Sequence, residues 1–293
     1  MEVSQKNSLK RAEARLGFIF ILPSLILILS IIIYPLCYNI YLSFHKVALN
    51  PLKTPKFIGF SNYLTLFSDG EFLKSLMLTF LYVIITVATS TTVGLLVALL
   101  MNRKFKGRGI ARSLVILPYV APVISLVFVW QYMFNGIYGV VNYAAVDKLQ
   151  LFNAAPAWFD HPVLSMALVI LFDTWRVFPY SFMMILAALQ AIDESLYEAA
   201  MIDGAGAWKQ FWAITFPEIL PVISSLVVLR AIWNFYKFDD VYLLTKQVPI
   251  MGVYLYQTAF SVYDFGLAAA ITVALFIIVM TFVLFVRRKV NRI

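Results

Sequence analysis

The stretch EAAMIDGAGAWKQFWAITFPEILP, residues 198–221, lies between two long apolar runs. It is too polar for a membrane span and too rich in Ala, Phe and Trp for a plain hydrophilic loop. Around its start, Glu194, Tyr197, Glu198 and Met201 mix acids with apolar residues at helical spacings. Gly204 and Gly206 then interrupt the pattern, as glycine does at a helix C-terminus or turn. Helical spacing resumes at Ala207, with Trp208, Phe211 and Trp212 at i, i+3 and i+4. Pro217 and Pro221 flank the start of the next apolar run, where a missing N–H costs little. Residues 193–220 are therefore predicted as helix, turn, helix: a short, rigid, partly apolar knob. A helix lying on lipid is the competing reading. The acids weigh against it, because Asp193, Glu194, Glu198, Asp203 and Glu218 face a single Lys209. Helices that bind anionic membranes carry Lys and Arg on the polar face.

Outward from this stretch, the composition is that of a membrane protein. The 293 residues are 62% hydrophobic and 13% charged, against roughly 25% charged in soluble domains. Apolar runs of spanning length recur, and the short alternating segments of a β-barrel do not. The reading is an all-α polytopic protein, a single transmembrane domain over residues 1–293. Six spans are predicted, at about 17–44, 73–101, 113–134, 163–189, 221–242 and 267–286. Prolines at 23, 35, 118 and 122 predict kinks or local unwinding. The first run is longer than a signal h-region and is followed by no A-x-A-type site, so it reads as a retained span.

Charge sets the orientation. With the N-terminus inside, the inner segments hold Lys6, Lys10, Arg11, Arg15, Arg103, Lys104, Lys106, Arg108, Arg112, Lys209, Arg287, Arg288, Lys289 and Arg292. The outer segments hold half as many basic residues. Both termini and residues 190–220 are thus expected in the cytoplasm. The net charge of +8 reflects this asymmetry and not a nucleic-acid partner. The lone Cys37 has no partner for an internal disulfide. No Cys/His set has zinc spacing, and His45 and His161 read as interfacial residues, so no metal is expected.

Charges inside spans are expensive and often functional. Asp173 and Arg176 stand three apart on the fourth span, within reach of each other. They read either as a charge pair or helix brace, or, with Trp175 and Tyr180, as one face of an aqueous path. Arg230 on the fifth span reads as a brace. Further along, Trp233, Asn234, Tyr236, Asp239 and Asp240 offer rings and polar groups of the kind that hold a sugar. Only a subset can share one helical face, and Asn234 and Tyr236 are preferred.

The motif Glu198-Ala199-Ala200, then Asp203-Gly204-Ala205, then Phe211, Ile214, Pro217 and Pro221, resembles the EAA loop of ABC importer permeases. The resemblance extends to YPLCYNIYLSFHKV at 34–47, FIGFSNYLTLFSD at 57–69, RSLVILPYVAPVISLVFVWQYMF at 112–134, LRAIWNFYKFDDVYLLT at 229–245 and DFGLAAAITV at 264–273. It is to the carbohydrate-uptake subfamily, more the MalF/UgpA-like than the MalG-like half. It implies the six-helix type I importer fold with a cytoplasmic coupling loop. It implies that Glu198, Ala199 and Ala200 form a docking turn for a cytoplasmic ATPase, with Gly204 turning the chain and Asp203 capping or bracing it. The implied partners are a second, MalG-like permease, a dimeric ATPase and an extracytoplasmic sugar-binding protein. ATP and Mg would be held by the ATPase, since this chain has no G-x-x-x-x-G-K-[ST] stretch and no cofactor of its own. One departure stands out: LLTKQVPIMGVYLYQ, 243–257, has Lys246, Gln247 and Val248 where relatives carry a glycine-rich stretch. Two other classes compete. An ion-coupled secondary transporter would want a midplane carboxylate relay, for which Asp173 is the one candidate. An intramembrane enzyme would want paired catalytic residues at span depth, which the sequence does not offer; no catalytic residue is assigned.

Overall fold

A computed structural model describes residues 2–50 and 52–290, with side chains from residue 15. Arg292 lies outside the described residues, and the side chains of Lys6, Lys10, Arg11, Arg287 and Lys289 are likewise not described. The elements run α1 (Glu2–Leu27), a π segment (Ile28–Ile33), α2 (Tyr34–Ser43), the short strands β1 (His45–Lys46) and β2 (Lys56–Phe57), and α3 (Ser61–Ser68). Then come α4 (Gly70–Asn102), α5 (Arg108–Val120), α6 (Val123–Met133), α7 (Val140–Asn142), a second π segment (Tyr143–Lys148) and α8 (Pro162–Ala191). The last third holds α9 (Glu194–Ile202), α10 (Ala207–Gln210), a third π segment (Phe211–Thr215), α11 (Phe216–Phe235), α12 (Asp239–Leu244), α13 (Met251–Phe260) and α14 (Phe265–Val290).

Among the described residues, five continuous helices are long and apolar enough to cross a membrane: Arg15–Ser43, Gly70–Asn102, Pro162–Ala191, Ala207–Phe235 and Phe265–Phe285. The third expected span is not a straight helix. It is the pair α5 and α6, bent by 93° at Ala121 and Pro122. Proline disfavours helical geometry in the residue before it, and Ala121 is extended at ψ 145°. The fifth span also differs from the expectation. It begins at Ala207, passes through Pro217 and Pro221 without a break, and ends at Phe235 rather than near 242. The π segment just before Pro217 absorbs the hydrogen bond that a proline cannot donate. Pro35 also follows a π segment, Ile28–Ile33, whereas Pro23 lies inside α1; Ser24 and Ser30 bond the carbonyls of Ile21 and Ile26.

The described residues fall into two compact units. The smaller one holds the chain through Ser68 and residues 258–276. Here β1 pairs antiparallel with β2, and buried Asn62 donates to the carbonyls of Ser43 and His45. Gly266 lies against the His45 carbonyl, where any Cβ would collide. Tyr34, Tyr38, Tyr41 and His45 stack in sequence along α2, the expected pattern of an interfacial aromatic belt. The 15–43 helix is largely apolar all round and exposed along its length up to its last turns, where Ser43 is buried.

The larger unit holds residues 69–257 and 277 onward. Its centre is α4 packed on α8. Thr86, Ser90, Gly94 and Ala98 recur every four residues on α4 and are all buried. This small-residue stripe lets two backbones approach, as membrane helices require when lipid leaves no hydrophobic drive between them. At Gly94 a Cβ would lie 2.6 Å from the Ser181 Cβ and 2.9 Å from the Phe182 nitrogen. One turn on, Ala98 joins Phe182, Ile185, Leu186, Leu189, Ile219 and Leu226 in an apolar core shared by α4, α8 and α11. Asp69 starts α4 by accepting a hydrogen bond from the Glu71 amide at 2.9 Å.

Gly94→Val should lower the thermal stability of the detergent-purified chain, because overpacking of this kind costs about 1–3 kcal/mol. Gly109→Ala, inside α5 with nothing within 4 Å of the new methyl, should not lower the unfolding temperature in the same assay and should raise it slightly.

Candidate coupling loop and charged outer turn

The 193–215 segment is built by local rules. Asp193 caps α9 by accepting the Ser195 amide at 2.9 Å, and this bond holds its carboxyl below the usual aspartate range. Glu194 in the first turn faces the positive end of the helix dipole. The other end of α9 closes as a Schellman motif. Gly204 takes φ +74°, its amide bonds the Met201 carbonyl at 3.0 Å, and the Ala205 amide bonds the Ala200 carbonyl at 2.8 Å. Asp203, expected to cap or brace with its side chain, instead ends α9 through its backbone, whose N–H bonds Ala199. The loop is then fastened from both sides. The hydroxyls of Tyr197 and Thr215 share a hydrogen bond at 2.8 Å, and the Gln210 side chain donates through Nε2 to the Ala205 carbonyl at 2.9 Å.

The outside of this knob is acidic and apolar at once. Glu198, Ala199 and Met201 are exposed, Ala200 is half-buried, and Ile202 and Trp208 are 87% and 75% exposed. Trp208, Phe211, Trp212 and Phe216 form a continuous run of ring contacts along the next helix. Beside it opens a cleft of about 510 Å³. Lys104 and Arg108 line one part of it, and Glu194, Tyr197, Glu198 and Met201 another.

The second cluster lies at the far end of the helices that leave this loop. Asp173 and Arg176 do not pair with each other, as their spacing had led one to expect. Asp173, 1% exposed, is held by Arg230 Nη2 at 3.0 Å and Lys237 Nζ at 3.1 Å. Lys237 also reaches Asp240 at 2.9 Å, and Arg176 Nε lies 3.5 Å from the same Asp240 carboxylate. Three cations and two anions from α8, α11, the 236–238 turn and α12 thus make one network. Arg230 is a brace, as expected, and its partner is Asp173. Lys237 is the member that the span pattern does not single out, and Asp240, named above among groups suited to a sugar, is instead an ion-pair partner here. Their i, i+3 spacing was the available signal, but it only matters once α11 is known to stop at Phe235.

The remaining path candidates separate by exposure. Asn234 is fully buried and donates to Thr86 Oγ1 at 2.8 Å. Trp175 is half-buried against Trp130 and Phe172. Tyr180 lies between Tyr119 and Trp233, with ring centroids at 5.8 and 5.5 Å, so three spans share one aromatic row. Trp233 and Tyr236 stay exposed. Asp239 is exposed in the first turn of α12, beyond the span that was to carry it, and forms no ion pair among the described residues. In the 243–257 stretch, Val248 and Ile250 are buried and Lys246 sits over the Tyr242 ring at 3.1 Å. Among the described residues, no three His, Cys, Asp or Glu side chains cluster to hold a metal.

Known proteins share both the sequence and the fold. The inner membrane ABC transporter permease protein YcjO of Escherichia coli K12 is 52% identical over 281 residues, covering 96% of each chain. The trehalose/maltose transport system permease protein MalF of Thermococcus litoralis is 35% identical over 298 residues, covering 100% of this chain and 99% of its own. A bacterial ABC transporter involved in the import of the acidic polysaccharide alginate superposes with a TM-score of 0.79 at 22% identity, over 99% of both chains. The profile of the binding-protein-dependent transport system inner membrane component matches residues 90–291, which include the loop, the broken span and the charged turn. The chain belongs to that family, the membrane-spanning permease components of binding-protein-dependent ABC importers.

Proposed function

We propose that the chain forms the translocation path for a sugar or related polyol, and that residues 198–205 receive the work of a separate ATPase. The observation that carries this reading is the Schellman-closed α9. It presents Glu198, Ala199 and Ala200 on a braced knob between two spans, with Asp203, Gly204 and Ala205 setting the turn. Small alanines let a partner approach the helix closely, and the acidic rim suits a protein cleft better than an anionic lipid surface. ATP and Mg belong to the ATPase in this reading, and this chain binds neither. A second permease and an extracytoplasmic binding protein complete the importer. The basic asymmetry supports an inner-membrane placement with both termini and the loop in the cytoplasm.

The sugar assignment is supported by the trehalose/maltose permease among the relatives and by the aromatic row of Tyr119, Tyr180 and Trp233. Rings of this kind stack on the apolar faces of sugars, while a few polar groups set orientation. Trp175, Tyr180 and Tyr236 are the exposed or half-exposed path residues of the larger unit, with Asp239 offering a carboxylate at the outer turn. An ion-coupled carrier has less support. Asp173, the carboxylate deepest in a span, is already engaged by two cations. Uptake by reconstituted vesicles should require ATP, and uptake driven by an ion gradient alone would sink the importer reading.

Two substitution series test the parts separately. Glu198→Lys, Ala200→Arg and Gly204→Val should each leave the chain inserted but reduce ATPase co-purification and transport. Gly204→Asn should retain most of both, since asparagine tolerates positive φ better than a β-branched residue. Normal transport with Ala200→Arg would count heavily against docking. Trp233→Ala and Tyr236→Ala should instead raise the substrate concentration needed for half-maximal uptake while ATPase co-purification stays at the wild-type level.

A further inference from the structure

The loop and the ion network belong to the same two helices. Only the two extended residues Ile192 and Asp193 separate α8 from α9, and the Ala207–Phe235 helix leaves the turn that follows α9. At the loop end these helices are joined by the Tyr197–Thr215 hydrogen bond. At the other end they are joined by Asp173 on α8, which binds Arg230 on α11 and Lys237 just past it. Asp173 lies about 27 Å along α8 from the loop, at 1.5 Å per residue. Between the two ties runs a packed apolar seam that includes Leu186, Leu189, Ile219 and Leu226.

We propose that the Asp173–Arg230–Lys237–Asp240–Arg176 network is a clasp that makes α8, the loop and the 207–235 helix one lever. It delivers displacement of the coupling loop to the 236–240 turn. The inference rests on the coupling reading above, and the network residues are positioning residues in it. The geometry fits a clasp better than a substrate contact. The Asp173 carboxylate spends one oxygen on Arg230 and the other on Lys237, and it is shut away from solvent. Lys237 and Asp240 sit where the long helix stops, so without the ties to α8 the turn would be free to lag behind the spans. Arg176 provides a second cross-link, from α8 to α12 through Asp240. Gly252 on α13 lies against the Lys237 carbonyl so closely that no Cβ would fit, which backs the turn from another side. Ion pairs suit this work because in a water-poor interior a broken pair leaves a bare charge. The tied state is therefore strongly preferred to a partly open one.

The test uses the complete importer, reconstituted in proteoliposomes, and reads sugar moved per ATP hydrolysed at equal amounts of assembled complex. Asp173→Asn with Arg230→Gln removes both ties of Asp173, to Arg230 and to Lys237, and leaves the network's net charge unchanged. Lys237→Asp with Asp240→Lys keeps a pair inside the turn but sets like charges against Asp173 and Arg176. Both should assemble with the ATPase and hydrolyse ATP, while the sugar-to-ATP ratio falls several-fold. A double variant that fails to assemble is replaced by Arg176→Gln, which leaves Asp240 paired with Lys237; a smaller fall in the ratio is expected, and Arg176→Lys should restore most of it. A wild-type ratio in the assembling variants overturns the clasp. Loop variants such as Glu198→Lys, run alongside, separate the two ideas. Uncoupling by them but not by the network variants rejects only the clasp. Full coupling with Glu198→Lys rejects the reading beneath it.

Discussion

The close approach of α4 to α8 is the constraint on which the larger unit depends. In a bilayer, moving a side chain from lipid to a helix interface gains little hydrophobic free energy, so association needs tight contact and interhelical hydrogen bonds. The Thr86–Ser90–Gly94–Ala98 stripe supplies the contact, and Gly94 meets the Ser181–Phe182 backbone with no room for a methyl. The Thr89 and Thr174 hydroxyls supply a hydrogen bond at 2.7 Å across the same seam. α11 then packs on both helices through Leu226 and Asn234, and its polar contact to Thr86 depends on α4 being where it is. A bulky residue in the stripe would move all three helices together.

That packing is what makes a buried charge network tolerable. A lone carboxylate at the depth of Asp173 would be costly, and removing one partner from a buried pair typically costs about 3–5 kcal/mol. Here each acid has two cations, each cation is held by at least one acid, and the surplus is a single positive charge. The members come from four elements, so the network forms only when α8, α11 and α12 are all in place. It therefore reports on the tertiary arrangement of the helices around the loop, and it gives the functional proposals a second anchor besides the loop itself.

Much of the coupling loop was legible because its signals are local. Gly204 and the alternation of acids with apolar residues predicted a helix, a turn and a second helix, and α9 with its Schellman closure follows that pattern. The prolines were less informative. Pro118 and Pro122 predict a kink or local unwinding in the third span but not a bend of 93°. Pro217 and Pro221 point by position to a helix start, whereas the helix runs through both after a π segment. Proline removes one donor, but how the backbone repairs the loss depends on neighbours that spacing does not show. The same limit explains Asp173 and Arg176. Helical spacing puts them within reach, but Arg230 and Lys237 offered Asp173 better partners across the bundle.

By itself, the amino-acid sequence determined the class of protein, its membrane-spanning runs, the place of the knob between two of them, and the motif that ties it to an importer family. These depend on composition, periodicity and residues close together in the chain. The tertiary structure alone decided which charges pair, where the fifth span ends, and which aromatic rings share a row. Each of these depends on side chains that packing brings together from distant positions, as Asp173 and Arg230 are brought together 57 residues apart.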